Sequence, residues 1–299
     1  MRQYGGIHAV LYALFDANGA LDRSAMRAQV QLMLETGVDG VTVLGLATEV
    51  QKLSPEEQRN IIEWAAEDVS GQRPLSVTIS GNSAAIQRDL ANFALQHDAS
   101  WLILQPPNAG SYSGDVYLDF FLDVADGFEV PFAIQNAPQF LGRALSADDI
   151  ARLTSRNPNF SLIKAETSAV DLAGLVARCG PELTVLNGRA GLEMTDCLRA
   201  GAHGFILAPD AIDYCKAVFD LWSRDEFVQS EEKFREVLPA IVFAMQSLEH
   251  LICYGKRIFG KRAGFKIHDR TTALLPTEFG LRAAYDWADY LGDFRKPLK

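Results

Sequence analysis

The feature that most limits the fold of this chain is an eightfold alternation. Short apolar runs rich in Val, Ile and Leu occupy residues 7–13, 40–44, 75–80, 101–105, 132–135, 160–164, 183–187 and 204–207. Between and after them lie longer segments with helical periodicity, at 23–35, 55–69, 84–97, 114–126, 146–152, 170–178, 192–200 and 211–227. A strand without polar alternation is covered on both faces, and a strand–helix repeat makes its sheet parallel. Eight such units fit a closed (β/α)8 barrel, which typically takes about 250 residues. The rival is an open doubly wound sheet. It expects a G-x-G-x-x-G turn after the first strand, and the stretch from Val10 to Gly19, VLYALFDANG, has none.

Local signals support these boundaries. Ser54-Pro55-Glu56-Glu57 offers an N-cap, a proline at the first helical position and two acids in the first turn. Ser146-Ala147-Asp148-Asp149 is similar, and Gly37 is placed to end the first helix. After residue 227 the strand signal stops. Residues 230–251 read as one long helix and 278–290 as a last one, with Gly255, Gly260 and Gly264 punctuating the stretch between. No linker-like stretch intervenes, so residues 1–299 read as one domain: a barrel over 1–228 and C-terminal helices over 229–299.

A net charge of −10 argues against a nucleic-acid surface, which needs clustered Lys and Arg. The four cysteines, Cys179, Cys197, Cys215 and Cys253, contain no C-x-x-C pair, so they read as free, largely buried thiols of a cytoplasmic protein rather than zinc ligands. The N-terminal stretch lacks the long apolar core of a signal peptide and reads as a first strand. No run approaches the ~18 apolar residues of a membrane span.

In a barrel of this kind, chemistry collects at the C-terminal ends of the strands. The run Phe160-Ser161-Leu162-Ile163 ends there on Lys164. Such a lysine either reaches out to solvent or serves as a Schiff-base nucleophile. An amine between apolar walls loses hydration, which favours the neutral, nucleophilic form.

Several motifs around Lys164 resemble the dihydrodipicolinate synthase / N-acetylneuraminate lyase family of Schiff-base aldolases. Phe15-Asp16-Ala17-Asn18-Gly19-Ala20-Leu21-Asp22 is similar to that family's opening segment. Gly45-Leu46-Ala47-Thr48-Glu49, followed by Leu53-Ser54-Pro55-Glu56-Glu57, matches the place of its G-T-T-G-E loop and next helix start. Ile163-Lys164 matches its imine-forming lysine, and Gly201-Ala202-His203-Gly204-Phe205-Ile206 its eighth strand. The resemblance implies a barrel lyase, an aldolase or dehydratase, acting on pyruvate or a related 2-oxo acid. It implies no metal or organic cofactor and a homotetramer or homodimer. Lys164 and Gln135 become the catalytic candidates, and Ala47, Thr48 and Ile206 the substrate-binding ones.

The chain also departs from that pattern. Leu46 and Ala47 stand where the family has two hydroxyl residues that relay protons and bind the pyruvyl carboxylate. The amides of Ala47 and Thr48 remain as carboxylate donors, and Thr48 either adds a hydroxyl or only shapes the turn. Gln135-Asn136-Ala137-Pro138 replaces Y-N-x-P, so an amide stands in for the acid/base phenol and cannot cycle a proton. Phe140 takes the place of the family's arginine, with Arg143 three positions on, and Gln105-Pro106-Pro107-Asn108 lacks the usual loop tyrosines. Glu166 is either a replacement acid/base or an exposed carboxylate at a helix start. A lyase on another 2-oxo acid is expected. The alternative is a barrel that lost turnover and kept a binding or regulatory role.

Overall fold

All eight runs form strands, and the strands close. The computed structural model describes residues 3–108 and 110–294. The strands are β1 (Gly6–Val10), β2 (Gly40–Val43), β3 (Leu75–Ile79), β4 (Trp101–Leu104), β5 (Phe132–Asn136), β6 (Leu162–Ala165), β7 (Thr184–Asn187) and β8 (Gly204–Leu207). Each pairs in parallel with the next, and β8 pairs with β1 to complete the barrel. Every strand residue but Asn136 is buried, which is why these strands read as unbroken apolar runs.

Helices alternate with the strands: α1 (Arg23–Glu35), α2 (Pro55–Val69), α3 (Ala84–Gln96), α4 (Gly114–Ala125), α5 (Ala147–Arg156), α6 (Ala169–Cys179), α7 (Met194–Arg199) and α8 (Ile212–Ser223). Ser54 with Glu57 and Ser146 with Asp149 form capping boxes at α2 and α5, where the sequence places them. Two boundaries move. α5 runs on to Arg156, with the hydroxyls of Thr154 and Ser155 turned back onto carbonyls three residues earlier. α8 stops at Ser223, because Asp225 adopts a left-handed φ of 60° and breaks the run before Phe227.

The single long helix expected over 230–251 is two. α9 (Phe227–Ala244) ends at Met245, and a second helical stretch, α10 (Leu248–Ala263), leaves at 102°. Ser247 decides this: it is extended, and its side chain accepts from the His250 amide as an N-cap. Apolar periodicity continues across the break, which hides it in the sequence. Gly255 and Gly260 lie within α10 rather than in a loop, and Gly264 caps it with φ 76°. Residues 251–255 form a π-helical turn. α11 (Glu278–Leu291) follows.

These last helices are tied to the barrel by buried charges. The Arg262 guanidinium grips Asp213 at 2.7 and 3.0 Å and donates to the Asp210 carbonyl at 2.8 Å. Lys256 Nζ lies 2.6 Å from Glu49 Oε1, both side chains almost wholly buried. Arg270, partly buried in the segment after α10, bridges to Glu57 at 2.6 Å. The N-terminal end of the barrel is filled by His8, whose ring packs edge-on to Trp101. A Cβ on Gly40 would stand 2.1 Å from that imidazole, so the strand beside His8 needs a glycine.

Asp210, just past β8, is buried under Tyr12, whose hydroxyl donates to it at 3.1 Å. Burial raises its carboxyl from 3.8 to about 6. The native state therefore holds this proton up to about pH 6, whereas the unfolded chain releases it near 3.8. Stability from this group is complete below the lower value and is lost as pH rises through the upper one. Asp210→Asn keeps an acceptor for Tyr12 and removes the buried charge. In urea titrations it should gain on the order of 2–3 kcal/mol over the parent at pH 8 and almost nothing at pH 4.

Candidate active site

Lys164 sits on β6 one residue before the strand ends, in register with Gln135 of β5 and Leu186 of β7. It does not reach solvent: its side chain is only 4% exposed, as is that of Glu166. Lys164 Nζ stands 2.9 Å from Glu166 Oε1. The two residues are two apart on an extended backbone, so both side chains fall on one face of the strand. The Glu166 amide donates to the Asn136 carbonyl at 2.9 Å, which carries the sheet pairing one step beyond β6. The exposed-carboxylate reading of Glu166 is thereby corrected, because α6 does not begin until Ala169.

A line of amides holds Glu166. Gln135 Nε2 donates to Glu166 Oε1 at 2.5 Å, and Gln105 Nε2 donates to Gln135 Oε1 at 2.7 Å. Gln87 of α3 in turn donates to the Gln105 carbonyl at 2.8 Å. Gln135 thus spends both heteroatoms of its side chain on its neighbours. It contacts the carboxylate that lies beside the amine.

The cavity at the lysine measures about 30 Å³. Its walls include Val10, Ala47, Phe140, Ile206, Met245 and Leu251 beside Lys164 and Glu166. Of the residues expected to bind substrate, Ala47 and Ile206 line it. Thr48 is turned away: its hydroxyl donates to the Leu11 carbonyl at 2.7 Å and its amide to the Gly45 carbonyl at 3.0 Å. Thr48 therefore builds the turn after β2, and both of its donors are engaged there. Tyr112 is exposed on α4's approach, with its ring against Tyr117, and lies outside the cavity lining. Arg143 donates to the Asn108 carbonyl at 2.8 Å, tying the loops after β4 and β5 together.

The backbone around this cavity is held in unusual conformations. Leu44 and Glu49 bracket the β2 loop with φ of 59° and 58°, and Ala190 after β7 has φ 55°. Non-glycine residues in this region cost of order 1–3 kcal/mol each and gather at functional sites. Glu49 is fixed by Lys52 and Lys256, each at 2.6 Å.

Gly188, just past β7, is a site residue the sequence alone does not single out. A Cβ there would lie 2.8 Å from both Lys164 Cε and Glu166 Cγ. Only a bare Cα leaves room for the ion pair. Gly188→Ala should displace that pair by a few tenths of an ångström or more and lower turnover by roughly 10²-fold, the scale for a misplaced catalytic group. A steady-state assay showing full activity would contradict this packing.

A model of the dihydrodipicolinate synthetase family matches residues 3–221. The chain belongs to that family. It is therefore one of a family of lyases, and a divergent member. L-2-keto-3-deoxyarabonate dehydratase of Azospirillum brasilense is 25% identical, over 80% of this chain and 79% of its own length. A probable 2-dehydro-3-deoxy-D-pentonate aldolase of Escherichia coli is 22% identical, over 87% of this chain and 89% of its own. Among solved structures, an E. coli prophage protein of the dihydrodipicolinic acid synthase family, crystallised in complex with pyruvate, superposes with a TM-score of 0.87. It is 20% identical and covers 97% of this chain and 99% of its own, a likeness of fold.

Among the described residues, no group of three or more His, Cys, Asp or Glu is arranged to hold a metal ion. Among the same residues, no single helix is long and apolar enough to cross a membrane.

Proposed function

We propose that this enzyme is a Schiff-base lyase, an aldolase or dehydratase, for pyruvate-type 2-oxo acids. Lys164 is its nucleophile and Glu166 its proton carrier. The observation that carries this reading is the buried Lys164–Glu166 contact at 2.9 Å in the mouth of the barrel. A proton passes from the Lys164 ammonium to the Glu166 carboxylate, which frees the amine. The amine attacks C2 of the 2-oxo acid, and the adduct loses its hydroxyl as water by taking that proton back. The resulting iminium is an electron sink. Either C3 gives a proton to the Glu166 carboxylate and the C4 hydroxyl leaves as water by taking it, or the C4 hydroxyl gives its proton to Glu166 as the C3–C4 bond breaks, releasing an aldehyde and an enamine that takes that proton at C3. Hydrolysis then returns Lys164.

Gln135 orients Glu166, and Ile206 and Phe140 exclude water. The substrate carboxylate falls to the amide of Ala47, early in the turn after β2, because Thr48 has spent its donors. The homotetramer or homodimer that the family resemblance implies remains part of this proposal, and light scattering reads it directly.

Incubation with pyruvate and borohydride, followed by mass spectrometry, tests the imine. A single reduced adduct on the peptide carrying Lys164 is expected. No adduct with any of several 2-oxo acids would overturn the reading in favour of a barrel that only binds. The same enzyme should show no measurable condensation of pyruvate with aspartate semialdehyde. Leu46, Ala47, Gln135 and Phe140 occupy the places of the family's two hydroxyls, phenol and arginine. Rates of order 10 s⁻¹, ordinary for an enzyme, would refute that assignment.

A further inference from the structure

The barrel mouth carries a second and larger cavity that the lysine chemistry does not use. It measures about 400 Å³, against about 30 Å³ at Lys164. It opens between the β2–α2 loop, the π-helical turn of α10 and residues 269–274. Leu46 and Leu248 line both cavities, so the two spaces adjoin at this pair of leucines. The π-helical turn serves both: Leu251 faces the lysine, while Ile252 and Cys253 face the larger space.

The charges in the larger wall, apart from the exposed Glu249, are already matched within the fold. Glu49 is held by Lys52 and Lys256, and Asp269 by Arg257 at 2.5 Å. What remains for a ligand is hydrocarbon from Leu46, Val50, Leu248, Ile252, Ala273 and Leu274, with Gln51 and Thr272 as the uncharged polar side chains of the wall. A polyhydroxylated chain would give up its water there for few partners, which is costly. The carboxylate of Glu249, exposed on the rim, would repel a second carboxylate on the ligand. The space at the lysine is little larger than a few water molecules need. It seats the reacting end of a 2-oxo acid and leaves the rest to pass over Leu46 and Leu248.

We infer that the larger cavity binds the distal tail of the substrate, and that this tail is alkyl or aryl with no second carboxylate. The inference rests on the imine reading for Lys164, whose reacting carbons it takes as fixed. Each methylene buried is worth about 0.8 kcal/mol, close to a fourfold gain in affinity. Tails of four or more carbons should show this plainly.

Borohydride trapping across a graded series is the test, read as the concentration giving half-maximal adduct. 4-Phenyl-2-oxobutanoate and 2-oxooctanoate should reach it at least tenfold below pyruvate, and 2-oxoglutarate should not. In Ala273→Trp, which fills the cavity, the ratio between the long acids and pyruvate should fall to about one. A pyruvate adduct with no advantage for the long acids, or the same advantage in Ala273→Trp, would overturn the tail site and leave the imine standing. If no acid is trapped, the imine reading fails, and calorimetry with 4-phenyl-2-oxobutanoate decides the cavity by itself. Binding lost in Ala273→Trp supports it, and no binding to the parent enzyme overturns it.

Discussion

Lys164→Arg is expected to fold normally, keep its contact with Glu166 and give no borohydride adduct at all. This substitution keeps the charge and removes the nucleophile. Lys164 and Glu166 are both buried, and removing one partner of such a pair leaves an uncompensated charge, at a cost of about 3–5 kcal/mol. Lys164→Ala therefore confounds lost chemistry with lost stability. Arginine keeps the cation beside Glu166 but is always protonated and cannot add to a carbonyl. No other lysine among the described residues can substitute. Lys52 and Lys256 are both spent on Glu49 at 2.6 Å. Lys216 is bound to Asp220, Lys233 and Lys261 pair with surface acids, and Lys266 is exposed and outside the lining of the Lys164 cavity. Turnover should fall below detection in both variants. An adduct of undiminished yield in either would remove Lys164 from its role.

The barrel was legible because a parallel sheet covered on both faces leaves no polar positions to interrupt its strands. The caps at Ser54 and Ser146 were legible because N-cap chemistry is local. The bend before Ser247 was hidden for the converse reason: apolar spacing continued through it, and one extended serine outweighed that pattern. Gly188 was out of reach, since its requirement comes from side chains that lie on β6 and just past its end. Glu166 lies between these cases. A position two residues past an inward lysine shares its face of the strand, and that signal was present. Reading Glu166 as the start of a helix assumed that β6 pairing stopped at Lys164, whereas the Glu166 amide still pairs with Asn136. The role of the amides of Gln105 and Gln135 depends on that extra step, because only an inward carboxylate gives them an acceptor.

Glu166→Gln should lower stability, because the buried Lys164 cation loses its counter-charge, yet leave the adduct in place and cut turnover by roughly 10²–10⁴-fold, the usual contribution of a general acid–base group. The substitution is close to isosteric. Its carbonyl oxygen can still accept from Lys164 and from Gln135, which now share Glu166 Oε1 at 2.9 and 2.5 Å. What disappears is the capacity to take the ammonium proton and return it when water leaves. Both steps must occur in every cycle, whereas trapping needs imine formation only once and tolerates long incubation. The loss should therefore appear in kcat, with KM little changed. Gln135→Leu offers the complementary reading. It leaves Glu166 chemically intact but free to rotate, and it strands the Gln105 amide that now donates to Gln135 at 2.7 Å. Its defect should be smaller than that of Glu166→Gln. The two together should be no worse than Glu166→Gln by itself, as for residues acting as one unit. If Glu166→Gln turns over within tenfold of the parent, the proton is carried by another group and the amide line is only packing.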